Sequence, residues 1–121
     1  MDHVIETIDV IVSYLAGVSL ECFLDNRMLC DAVMRNLQIL SESTQKISQR
    51  IKDKYSYVPW KDISGFRNIL THDYLEGIDL QIVWNVTSNK LPKLRNEFLT
   101  IKNEIHNNTS KLEVKYKNSG Q

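Results

Sequence analysis

The residues best suited to chemistry in this chain sit together in GFRNILTHDY, Gly65 to Tyr74. The stretch carries a permanent cation (Arg67), an amide (Asn68), an imidazole (His72) and a phenol (Tyr74), with apolar side chains between them. An imidazole titrates near neutral pH and can move a proton, and a guanidinium is a natural phosphate holder. Spacing limits how they can cooperate. Arg67 and His72 are five residues apart, which is about 500° of ideal helix and points them about 140° away from each other. Asn68 and His72, at i and i+4, share a face. These facts are reconciled if His72 lies at a helix C-terminus where the backbone unwinds toward Tyr74 and Gly77. The negative end of the helix then favours the protonated imidazole beside a fixed cation. An arginine and a histidine that merely cap carbonyls or face solvent would leave the same pattern. Tyr74 could equally be a buried anchor or a side chain reaching solvent. On the residues alone both readings stand.

The elements that must position this stretch are helical. Apolar residues recur at steps of three, four and seven nearly throughout, and no strand alternation of any length occurs. Val4, Ile8, Ile11 and Leu15 form a first stripe with Ile5 and Val12 beside it, ended by Ala16-Gly17, and Ser19 is placed to cap a short turn through Leu24. A long helix is expected from about Asn26 to Lys54, carrying Leu29, Val33, Leu37, Leu40, Ile47 and Ile51. A second face of that helix, Arg35, Ile39, Glu42 and Lys46, is too polar for a core and is a candidate interface. Pro59 suits a first helical turn, and the next helix runs from about Trp60 into the motif until Glu76-Gly77 breaks it. Asp79 caps another, Leu80 to about Ser88. Leu91-Pro92 starts the last, with Leu94, Phe98, Ile101 and Ile105. Past His106 the chain turns polar, so fraying or disorder is expected there. The expected organisation is an all-α up-and-down bundle of four to five helices over residues 1–108, followed by a disordered tail over 109–121.

Composition narrows the function classes. At 121 residues with 42% apolar and 25% charged residues the chain can build one core. It runs from Met1-Asp2-His3 straight into amphipathic sequence and holds no membrane-length apolar run, so a cytoplasmic protein away from membranes is expected. Cys22 and Cys30 read as free thiols. No carboxylate cluster or Cys/His set has metal-ligand spacing, so neither a metal nor a cofactor is expected. The formal net charge is zero, so any nucleic-acid function must rest on a local patch. Lys46, Arg50, Lys52 and Lys54 are a basic stretch that reads either as a solvated face or as a guide for a phosphate backbone. Tyr55, Tyr57, Trp60 and Trp84 read as core rather than as base-stacking platforms, and His3 and His106 as exposed.

Arg67-Asn-Ile-Leu-Thr-His72-Asp-Tyr74 resembles the Arg-x4-His-x-Tyr signature of the HEPN superfamily, and more narrowly of the HepT-like toxins. DAVMRNLQILSES (Asp31 to Ser43) resembles the central helix of that family. VPWKDISGFRNILTHDY (Val58 to Tyr74) and IDLQIVWNVTSNKLPKLR (Ile78 to Arg95) resemble its motif-bearing and closing helices. One departure is Ser41-Glu42, where the family commonly has Gly-Glu; it bears on how closely helices approach there. The resemblance implies a homodimeric, metal-independent endoribonuclease, the toxin of a type VII-like toxin–antitoxin pair. It also implies a minimal nucleotidyltransferase partner that silences the toxin by transferring AMP to Tyr74. Cleavage through the RNA's own 2′-hydroxyl needs a base, an acid and a cation at the phosphorane. One histidine cannot readily be base and acid in a single step, so a two-fold dimer sharing one cleft would supply the pair. On this reading His72 transfers the proton, Arg67 holds the scissile phosphate and Asn68 orients the site. Arg35, Asn36 and Glu42 on the long helix support the cleft. The rival is a non-catalytic HEPN dimer that binds a nucleotide or a nucleotidyltransferase partner.

Overall fold

The computed structural model describes residues 1–66 and 79–119, with side chains through residue 107. The chain enters with α1 (Asp2–Leu15), which buries Val4, Ile5, Ile8 and Ile11 and leaves Val12 exposed. Gly17 ends that run in the left-handed region at φ +72°, a conformation glycine adopts without a Cβ penalty. Ser19 then caps α2 (Leu20–Asp25) by accepting from the Cys22 amide, and Asn26 caps α3 (Arg27–Gln45) by accepting from Leu29. Between them Phe23 is fully buried, its ring 5.3 Å from that of Trp84. The Cys30 thiol, pushed up by burial, donates to the Phe23 carbonyl. Both cysteines are free.

The expected helix over Asn26–Lys54 is two helices. The backbone leaves the helix at Ser48 (φ −62°, ψ 149°), whose hydroxyl accepts from the Ile51 amide and caps α4 (Gln49–Lys54). Ahead of it, the Lys46 and Ile47 amides close tight i→i−3 turns onto Ser43 and Thr44. A serine offers the chain a local alternative to continuing the helix, and apolar periodicity cannot register it, because Ile47 and Ile51 pack on the core either way. A turn through residues 55–59 leads into α5, which is described over 60–66. The Pro59 carbonyl accepts its first i→i+4 bond, from Ile63.

A second correction concerns the closing helices. Asp79 caps α6 (Leu80–Asn85) by accepting from Gln81. The chain then passes without a break through a π-turn (Val86–Lys90) into α7 (Leu91–Ser119). Asn85, Val86 and Leu91 all keep helical dihedrals, and the Leu91 amide reaches the Val86 carbonyl. Pro92, taken from sequence as the start of a new helix, is the physical reason for the widened turn. A proline ring inside a helix meets the carbonyl four residues back and offers it no N–H, and a π-turn opens that spacing. The helical backbone also continues past His106 to Ser119, because no proline or glycine interrupts it before Gly120.

Among the described residues there is no strand, and the fold is an all-α helical bundle with α7 as its spine. Asp9 pairs with Arg95 and Asp2 with Lys102, so α1 and α7 run antiparallel. Both pairs are solvent-exposed and each contributes at most about 1 kcal/mol. Along another side of α7 the Trp60 ring lies 5.7 Å from that of Phe98, and the Tyr55 hydroxyl donates to Glu104 at 2.6 Å. Phe98, Ile101 and Leu91 are fully buried, with Ile63 of α5 and Leu40 of α3 completing the centre. No helix among the described residues is long and apolar enough to cross a membrane.

The Tyr55–Glu104 bond makes a pH-dependent clamp. The bond to Glu104, then burial, pushes the Tyr55 hydroxyl up to about 12. A folded value raised above the unfolded one gives a contribution fully present below about pH 10, lost as pH rises toward about 12. Tyr55→Phe is therefore expected to lower stability in urea at pH 7 by about 1 kcal/mol, a modest figure because Glu104 faces solvent. The difference from the parent should vanish in the same titration carried out near pH 12.

Candidate active site

The helix that delivers the motif is held on two sides. Ile63 and Phe66 are buried in the core, 0% and 3% exposed, so α5 is anchored up to the residue before Arg67. Ser41 of α3 is fully buried against it, and its hydroxyl reaches the Ser64 carbonyl at 3.4 Å. The departure noted in the sequence therefore does not part the helices. The small hydroxyl fills the contact and supplies a polar link between α3 and α5.

Arg67, Asn68, His72 and Tyr74 lie in 67–78, outside the described residues. Both flanks of that segment are placed: it follows the buried Phe66 and ends at the cap residue Asp79. The predicted supporting residues are all on α3. Arg35 and Glu42, seven residues apart, share one stripe beside the face that carries Ser41. Arg35 is exposed and donates to Gln38 at 3.1 Å, and Glu42 is half-buried. Asn36 sits about 120° around the helix from Glu42, and its amide donates to the Ala32 carbonyl of its own helix at 2.8 Å. The fold thus brings Arg35 and Glu42 to one edge and turns Asn36 to another. His3 and His106 are exposed.

Two openings flank α5. A groove of about 690 Å³ runs between α4, the 55–59 turn and the outer face of α5, reaching Ser64 and Gly65. The Lys52 ammonium projects into it from 5.9 Å above the Trp60 ring, and Lys61 also lines it. The Trp60 indole N–H donates to the Tyr55 carbonyl at 3.0 Å, which fixes the ring as part of the wall. On the opposite face of α5 lies a smaller cavity of about 260 Å³ containing Asp62, Lys90, Lys93 and Glu97. Glu97 Oε2 is buried there with no hydrogen-bond partner among the described residues. Of the four aromatic residues read as core, Tyr55 is buried, Trp60 and Trp84 are half-buried, and Tyr57 is 59% exposed. The groove was not legible from spacing. Lys52 was visible only as one charge of a basic stretch, and nothing in the sequence pairs it with Trp60 or with Lys61.

A protein-family model described as "Ribonuclease HepT-like" matches residues 4–101. A Methanocaldococcus jannaschii protein named "Gamma-glutamylcyclotransferase and putative RNase" is 32% identical over 108 residues, 89% of this chain but 48% of its own length. This chain therefore spans about half of that relative. A "Putative RNase" of Caldanaerobacter subterraneus is 29% identical over 80% of this chain and 86% of its own. The "Probable ribonuclease HepT" of Thermococcus cleftensis is 26% identical over 81% of this chain and 88% of its own. No solved structure matches the chain. With an all-α bundle in place and the family match running from α1 well into α7, the chain belongs to the ribonuclease HepT-like family of HEPN proteins.

Proposed function

We propose that this chain is a metal-independent endoribonuclease and the toxin of a type VII-like toxin–antitoxin pair. The observation that carries the reading is the intact Arg67-x4-His72-x-Tyr74 pattern in a chain of a ribonuclease family. The anchoring of α5 at Ser64 and Phe66 supports it, because a motif that begins one residue beyond a buried phenylalanine has a rigid base. In the reaction the RNA 2′-oxygen attacks phosphorus and the bond to the 5′-oxygen breaks. The products are a 2′,3′-cyclic phosphate and a free 5′-hydroxyl. One His72 accepts the 2′-hydroxyl proton, and a second, from the other copy of a two-fold dimer, donates a proton to the leaving oxygen. Arg67 holds the phosphate as negative charge builds on its oxygens, and Asn68 keeps the imidazole oriented. Arg35 and Glu42, on the exposed edge of α3, support the cleft; Asn36 acts from a neighbouring edge.

The activity is silenced at Tyr74. A nucleotidyltransferase partner transfers AMP to its hydroxyl, with pyrophosphate leaving from ATP, and places a phosphodiester and a nucleoside at the cleft rim. A like charge about 5 Å from the substrate phosphate, at an effective dielectric near 20, costs roughly 3 kcal/mol, about a hundredfold in binding. Steric blockage adds to this, so modification stops RNA entry without unfolding the protein.

Three experiments test this reading. Purified protein is expected to cut RNA equally with and without EDTA. His72→Ala and Arg67→Ala should each lose about 10²–10⁴-fold in rate while keeping the parent's circular dichroism. Wild-type rates in both variants would remove the assignment, and no cleavage by any preparation would leave the non-catalytic reading. Light scattering at micromolar concentration is expected to give a dimer, and a monomer that cleaves RNA would overturn the shared cleft. Co-expression with a nucleotidyltransferase partner should raise the intact mass by one or more AMP units mapped to Tyr74. Tyr74→Phe should escape that silencing, and a Tyr74→Phe protein still modified and silenced would sink the account.

A further inference from the structure

The formal charge of zero conceals an uneven distribution. Residues 1–45 carry seven carboxylates and two cations, whereas residues 46–66 carry five cations (Lys46, Arg50, Lys52, Lys54 and Lys61 among them) and two carboxylates. The positive segment is α4, the 55–59 turn and α5, the three elements that enclose the larger groove. That groove reaches Gly65, two residues before Arg67.

Its walls carry two lysines and two hydroxyls. The Lys52 ammonium lies 5.9 Å above the Trp60 indole. The indole is itself locked by its hydrogen bond to Tyr55 and its packing on Phe98. A cation held by an aromatic face gives up less rotamer freedom when it meets an anion. Lys61, in the first turn of α5, also lines the groove, and Ser56 and Ser64 offer hydroxyls. The one carboxylate of the groove, Asp53, is engaged by the Gln49 amide at 2.9 Å. At about 690 Å³ the groove falls in the range of roughly 300–1,000 Å³ typical of small-ligand sites and has room for about one or two nucleotides. The cavity on the other face of α5 differs in character. Asp62 and Glu97 there balance Lys90 and Lys93, so that cavity lacks a surplus of positive charge.

We infer that the groove between α4 and α5 is a substrate subsite, in which Lys52 and Lys61 bind phosphates of the RNA strand flanking the bond to be cut. The inference rests on the ribonuclease reading and deepens it. It assigns a single-stranded substrate that extends beyond the two nucleotides at the scissile bond, and recognition through the backbone rather than the bases. Trp60 acts as a positioning residue through Lys52.

The test uses the full chain as His72→Ala, so that RNA stays intact, and a fluorescein-labelled single-stranded RNA of about 12 nucleotides in a salt series read by anisotropy. Each phosphate contact to a single strand contributes about 0.7 to the slope of log K against log salt, so Lys52→Ala/Lys61→Ala should flatten the slope by about 1.4 and weaken binding about tenfold. The loss should be equal on unrelated sequences, and Lys52→Arg/Lys61→Arg should restore the slope. Lys54→Ala removes the same charge from a side chain that lies over the Tyr55 ring outside the groove, and should leave the slope in place. If the double variant keeps the parental slope, or Lys54→Ala flattens it as much, the subsite is wrong. A double variant that keeps RNA binding but loses an acidic protein partner would also overturn it, in favour of a protein-docking groove. Cleavage of the same RNA by the wild-type protein separates the two levels. Cleavage with an unaltered slope removes the groove alone, whereas absence of both cleavage and binding removes the ribonuclease reading and the groove with it.

Discussion

The Trp60 indole is constrained on three sides at once. Its N–H is tied to the Tyr55 carbonyl, its ring packs on Phe98 of α7, and Lys52 of α4 lies over it. Tyr55 is in turn clamped to α7 through Glu104. This corner sets where α5 begins and in which direction it points. Ser41, Ile63 and Phe66 then keep α5 on course to its last described residue. A helix fixed at its start and along its buried side has little freedom left through Phe66, its last described residue. Loss of the aromatic corner would shift the start of α5 before it unfolded the bundle, because the central packing of Leu40, Leu91, Phe98 and Ile101 lies deeper.

The same corner links packing to electrostatics. Lysines on a solvated helix cost little to leave mobile, and a mobile lysine contributes weakly to recognition. Resting one of them on a locked aromatic ring turns part of a basic stretch into an oriented wall. The acidic surplus lies in the first 45 residues, so a polyanion meets attraction on the α4–α5 side and repulsion from α1 to α3, although the total charge is zero. Direction of approach, rather than overall affinity, is what such an arrangement controls.

The two places where the helices differ from the pattern expected of them share a cause. Ser48 ends α3 and starts α4, and Pro92 forces a widened turn where a break was expected; both are local backbone effects that leave the apolar periodicity untouched. Splitting the long helix lets α4 turn away from the axis of α3 and form one wall of the groove. The unbroken α6–α7 rod gives that groove, the Trp60 corner and α1 a common support, which two hinged helices would not.

Helical periodicity, the caps at Ser19 and Asp79, and the glycine stop at Gly17 were all legible in the chain, because each depends on residues within about one helical turn of one another. So was the family, since Arg67, His72 and Tyr74 stand in a short linear pattern beside Pro59-Trp60 and the run from Asp31 to Ser43. What required the tertiary structure was every pairing across long separations: Ser41 with Ser64, Tyr55 with Glu104, Trp60 with Phe98, and the placing of Lys52 and Lys61 in one groove. Among the supporting residues the sequence could nominate Arg35, Asn36 and Glu42 together. Only the structure shows Arg35 exposed and Glu42 half-buried on α3. Such facts are outside the reach of local spacing because they are decided by which helix faces pack together, and a one-dimensional pattern states that a face is apolar without stating what it meets.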